Sequence, residues 1–168
     1  MKSSGRFAAV IMVVAAMSLP IVTVAQEKPK PKPIMPSDRV KPDSLYKRLG
    51  GFDTIARIVD TFLPKLLEEP KIAAMIGGLA QTSRNRNRQF IVDQICELTG
   101  GPCVYVGRAM DAAHQGLGID DELWKFSQRK FAETLDELKI KNPERQELID
   151  TIEKLRPDIV EKKKVKPS

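Results

Sequence analysis

Apolar positions recur at three- and four-residue spacing through most of the chain after Ser44. Phe52, Ile55, Ile58, Val59, Phe62, Leu63, Leu66 and Leu67 form one such stripe, the mark of an amphipathic helix. Gly50-Gly51 separates it from a short helix around Leu45-Tyr46. Pro64 lies inside the stripe and predicts a kink or a change of helix there. Pro70 ends the segment, and Ile72 to Ile76 is expected to make at most a short turn before Gly77-Gly78. Thr82 or Ser83 is placed to cap a helix carrying Phe90, Ile91, Ile95 and Leu98, which stops at Gly100-Gly101. A short helix is predicted from Arg108 to Gln115, closed by Gly116 and Gly118. Asp120 caps a long helix with Leu123, Trp124, Phe131, Leu135 and Leu138 on one face. Asn142-Pro143 opens the last helix, with proline at its first position and a stripe from Leu148 to Val160. No segment alternates as a strand does, so the fold class is all-α.

The ends of the chain read differently. Residues 1–25 combine a basic start (Lys2, Arg6), an apolar run and a small residue at Ala25, the pattern of a signal peptide cut after Ala25. An uncleaved membrane anchor is the alternative, because the apolar run is long. Residues 26–43 interleave Pro29, Pro31, Pro33, Pro36 and Pro42 with lysines and form a linker that cannot bury a core. Residues 162–168 make a basic tail. The folded domain is therefore residues 44–161, one ordinary core. A periplasmic or secreted location follows from the start of the chain.

Charge then changes the picture of partners. The chain's net +6 sits in its arms; residues 44–161 hold 17 basic and 19 acidic residues, a net −2. No nucleic-acid surface is implied. The basic arms could associate weakly with a membrane or cell-wall polymer. Cys96 and Cys103, seven apart across Gly100-Gly101-Pro102, are expected to form a disulfide in an exported protein. Two buried free thiols are the alternative. There is no Cys-x-x-Cys, so neither a zinc site nor covalent haem attachment is supported.

His114 is the only histidine. It stands on the short helix between glycines, from which it can project into a slot lined by the long stripes. Its other ring nitrogen should bond a backbone carbonyl or water.

Leu45-Tyr46-Lys47-Arg48-Leu49-Gly50-Gly51, the later pair Gly100-Gly101, and the block Tyr105-x-Gly107-Arg108-x-Met110-x-x-Ala113-His114-x-x-Leu117 resemble the group I truncated haemoglobins. The resemblance covers about Ser44 to Val160 and implies a compact two-over-two helical globin. It implies that His114 is the proximal ligand of a non-covalent haem b, and that the partner is a diatomic gas (oxygen, nitric oxide or carbon monoxide), with a reductase if redox turnover occurs. Counting from the glycine pairs puts the distal positions at Asn87, Phe90 and Ile91. Leu63 falls where the family carries a tyrosine that donates to bound oxygen. Met75 and Ile76 replace the aromatic pair that wedges the haem. Only Asn87 of these can donate a hydrogen bond. Arg86, Arg108 and Tyr105 are candidates for the haem propionates, and Phe62, Met110 and Trp124 complete the candidate contacts. Core packing is the competing role for each apolar residue. A haem redox or peroxidase-like protein and a haem-less structural globin module are the rival functions.

Overall fold

The structure, a computed structural model, describes residues 40–161. The signal-like start, most of the linker and the basic tail lie outside the described residues. Among the described residues eight helices follow one another: α1 (Leu45–Arg48), α2 (Phe52–Leu66), α3 (Pro70–Gly77), α4 (Gln81–Leu98), α5 (Met110–His114), α6 (Asp121–Glu137), α7 (Glu144–Glu153) and α8 (Arg156–Ile159). There is no strand among the described residues. None of these helices is long and apolar enough to cross a membrane.

The stripes meet in one core. Ile55, Ile58 and Val59 of α2 pack with Val92, Ile95 and Cys96 of α4, Phe131 and Leu135 of α6, and Leu148 of α7. α2 lies against both α4 and α6, and α6 against α7, so the pair α2/α4 faces the pair α6/α7 in a two-over-two arrangement. Phe62 meets Phe131 edge-on at 5.2 Å, where an aromatic edge faces a ring.

Polar ties fix the ends of the helices. Ser44 caps α1 through the Lys47 amide, and the Tyr46 amide donates to the Thr99 carbonyl at 2.8 Å, joining α1 to the end of α4. Arg48 pairs with Glu144 and Glu147 on α7. Arg88 of α4 grips Asp60 of α2 through two bonds of 2.7 Å. Lys65 reaches Glu137 at 2.6 Å, and Arg145 reaches Asp136 at 2.6 Å. Trp124 is buried on α6, and its indole N–H donates to Glu153 of α7 at 2.9 Å.

Several helix boundaries depart from the sequence expectations. α2 continues two residues past Pro64, because a proline near the end of a helix forfeits only one bond of a turn that is already closing. The stretch expected as a turn is α3: Pro70 starts this helix rather than ending the previous one. Glu69 caps it by accepting from the Lys71 amide, and proline without an N–H suits a first turn. α4 begins at Gln81 with Ala80 as its cap, so Thr82 and Ser83 lie inside the first turn and cap nothing. α5 is shorter than predicted and starts at Met110. Asp120 does cap α6, accepting from Leu123. The last stripe is two helices. Pro143 precedes α7 across a cis bond rather than entering it, and the chain restarts as α8 with Pro157 in its first turn.

Cys96 and Cys103 form the expected disulfide, with Cα atoms 5.7 Å apart. Gly101 makes the turn between them. A Cβ there would lie 2.6 Å from both Cys96 Sγ and the Tyr46 ring, so only glycine lets the chain pass.

Candidate functional site

α5 is five residues long, and its first and last residues share one face because they are four apart. That spacing lets His114 Nδ1 donate to the Met110 carbonyl at 2.8 Å. A carbonyl only accepts, so Nδ1 carries the proton, and in the neutral ring Nε2 keeps the lone pair. This is the tautomer a metal ligand needs, fixed by the partner type the sequence led us to expect.

The approach to α5 is anchored to α4. The disulfide holds Cys103, the Tyr105 amide donates to Glu97 Oε2 at 3.3 Å, and the Tyr105 ring meets Phe90 edge-on at 6.1 Å. The Tyr105 hydroxyl donates to the Arg108 carbonyl at 2.6 Å, with its ring folded over Gly107, where a side chain would collide. Burial raises the Tyr105 pKa, and nearby Arg108 partly offsets it. Beyond His114, Gly116 and Gly118 take positive φ and turn the chain toward α6. The Gly118 amide donates to Glu161 Oε1 at 3.0 Å, and the Glu161 amide to the Ile119 carbonyl at 2.8 Å. α5 itself packs on α8. A cavity of about 240 Å³ lies here, lined by His114, Asp111 and Gln115 on one side and Asp158 to Glu161 on the other.

The other candidate residues sit in three settings. Leu63, Phe62 and Ile91 are half-buried and packed against the edge of the core. Met75 and Ile76 on α3, Phe90 on α4 and Met110 on α5 are half-buried. Arg86 and Asn87 on α4, and Arg108 before α5, are exposed. Trp124 alone is buried, at the contact of α6 with α7. Sequence reasoning did not find the Asp60–Arg88 grip, because three arginines alternate at the start of α4 and nothing in the pattern distinguishes one. Nor did it find Glu161, which is 43 residues from Gly118.

Residues 44–161 match the family described as bacterial-like globin. The chain belongs to the bacterial-like globins. The group 1 truncated haemoglobin of Mycolicibacterium paratuberculosis is 26% identical over 121 residues, which span 72% of this chain and 87% of that protein. The group 1 truncated haemoglobin of Tetrahymena pyriformis is 27% identical over 122 residues, 73% of this chain and 98% of its own. The crystal structure of the Tetrahymena protein in its Fe(III) form superposes with a TM-score of 0.64 at 26% identity, covering 71% of this globin and all of that chain. The two-over-two truncated globin fold expected from the motifs is thereby borne out.

The residues of this globin fit a haem. No group of three or more histidine, cysteine or acidic side chains able to hold a metal exists among the described residues. A lone imidazole is too few ligands for a bare ion, so a metal at His114 must bring its remaining donors with it, as porphyrin iron does. The half-buried apolar side chains on α2, α3, α4 and α5 are of the kind a flat hydrophobic ring packs against, although the cavity that His114 borders is lined by none of them. Arg86 and Arg108 are exposed cations suited to carboxylates.

Proposed function

We propose that this globin holds a haem b through His114 and binds a diatomic gas reversibly, outside the cytoplasm. The observation that carries this reading is the bond from His114 Nδ1 to the Met110 carbonyl, which puts the proton on Nδ1 and leaves the Nε2 lone pair for a metal. The names of the relatives, truncated haemoglobins, support the same group. When bound, the haem supplies an iron with a coordination position for a small diatomic molecule.

Every other task falls to the chain. His114 Nε2 is the ligating atom, and Met110 O keeps its tautomer. Phe62, Leu63, Met75, Ile76, Phe90 and Ile91 exclude water from the ligand side. Asn87 is the one donor among the distal candidates, and Arg86 and Arg108 hold the propionates, with Tyr105 beside them. A slot so poor in donors favours nitric oxide and carbon monoxide over oxygen, because each hydrogen bond to a polar bound ligand contributes on the order of 1 kcal/mol. The signal-like start and the Cys96–Cys103 disulfide support export to the periplasm or beyond. A reductase is needed there if the iron is to turn over. The basic arms give weak attachment to anionic surfaces.

The visible spectrum of the purified protein tests this. The wild type should take up one haem per chain with a Soret band of proximal-histidine character. His114→Ala should lose it while keeping its helical circular dichroism. A full Soret band of the same character in the variant would sink the assignment.

A further inference from the structure

No residue between Thr99 and Leu123 is buried, although this stretch carries His114. Packing into the core therefore does not decide where the imidazole stands. On the N-terminal side the disulfide, Glu97 and Phe90 tie the stretch to α4. On the C-terminal side the chain passes through two glycines at φ +82° and +66°, with the intervening Leu117 40% exposed. That loop has no side chain of its own to hold it. Within the loop the Leu117 amide bonds the His114 carbonyl, and Arg156 grips Asp121 where α6 begins; the hold on the glycine positions from outside is Glu161, whose amide and carboxylate bond Ile119 and Gly118 in turn. Glu161 also lines the cavity that His114 borders, so the clasp and the imidazole share one small space behind α5.

We propose that Glu161 is a positioning residue for His114: its carboxylate clasps the glycine loop behind α5 and so fixes the direction in which Nε2 points. The clasp stands on the hydrogen bonds alone; its meaning for ligation rests on the reading of His114 as an iron ligand. Two bonds make the clasp, and substitution separates them. The bond from the Glu161 amide survives any side chain. The bond to the Gly118 amide needs an acceptor at Oε1, which glutamine supplies and alanine does not.

The test compares Glu161→Ala, Glu161→Asp and Glu161→Gln in the full-length protein, first without haem. In Glu161→Ala the Gly118 amide should exchange with solvent about fivefold faster or more, as expected for one lost hydrogen bond. The ¹⁵N spectrum of the His114 ring should pass from a single Nδ1–H tautomer to a mixture. Glu161→Asp, one methylene too short, should behave like the alanine variant, and Glu161→Gln like the wild type. Haem-loaded Glu161→Ala should release haem severalfold faster than the wild type and Glu161→Gln. Unchanged Gly118 exchange overturns the clasp. Faster exchange with an unaltered His114 ring also overturns the proposal, because Glu161 would then hold the loop without positioning the imidazole. A glutamine variant as impaired as alanine does the same. Failure of the wild type to take up haem would overturn the proposed function instead, and the haem-free comparison would still decide the clasp.

Discussion

Leu63 is the single residue on which the proposed ligand slot can be tested most sharply. It is half-buried against the core edge and offers no donor. Leu63→Tyr should slow oxygen release from the haem-loaded protein by up to about tenfold, equivalent to about 1.4 kcal/mol for one added hydrogen bond. Stopped-flow displacement of oxygen by carbon monoxide measures this, and an unaltered rate would remove Leu63 from the ligand's surroundings. The neighbouring half-buried apolar residues predict fast release in the wild type for the same reason. At this scale the sequence was informative where chemistry is local. A histidine four residues after Met110 on one short helix can reach that residue's carbonyl, and it does. It was uninformative where partners are distant. Nothing near Glu161 marks it as the acceptor for Gly118, and nothing near Arg88 says that it, rather than Arg84 or Arg86, meets Asp60.

The helices were legible in proportion to their length. α2 and α6 repeat their apolar spacing over several turns, and the pattern outweighs a single contrary residue such as Pro64; α4 carries it only from Phe90 to Leu98, which is why its start was misplaced. α3 has eight residues and sits between proline and glycine, so local breakers concealed it; its true signal was the pair Glu69-Pro70, a cap followed by a proline. The stripe through α7 and α8 misled in the opposite way, since the apolar spacing persists across the break before Pro157. α4 starts without a side-chain cap at Ala80, whose φ and ψ of −58° and 152° suit one. Ala80→Asp should therefore stabilise the domain by about 0.5–1 kcal/mol, read as a higher urea midpoint at constant slope. No gain would mean that the first turn of α4 is frayed in solution. The Cys96–Cys103 disulfide closes a short ring, and replacing both cysteines by alanine should cost about 2.5 kcal/mol by the chain-entropy argument, with the packing lost at buried Cys96 added to it. Titration of the denatured, unreduced wild type should find no free thiol.

At the scale of the whole molecule, exposed arginine–carboxylate grips among the described residues join helices that the core already brings together, and three of them shift the titration of their carboxyls. Hydrogen bonds from Arg88, Arg145 and Arg48 hold the carboxyls of Asp60, Asp136 and Glu147 below their ordinary range. A carboxyl with a lowered folded pKa stabilises the fold above its unfolded value and loses that contribution as pH falls through the folded one. The arginine partners are raised instead, so their contribution is complete throughout the acid and neutral range. The urea midpoint should thus be level from pH 7 to about 5 and fall below about pH 4. Asp60→Asn combined with Asp136→Asn should flatten that fall, and a slope unchanged by both would assign it to other carboxylates. The pairs are solvent-exposed, so salt should also weaken them. The seam between α6 and α7 carries a further property of the molecule. Trp124 is the chain's sole tryptophan, buried and bonded to Glu153 across that seam. In the haem-free protein its fluorescence is therefore a built-in reporter of one location: the emission stays at short wavelength while the two helices remain together and shifts to longer wavelength when water enters between them. A rearrangement confined to α5, which buries no residue, would leave that colour untouched.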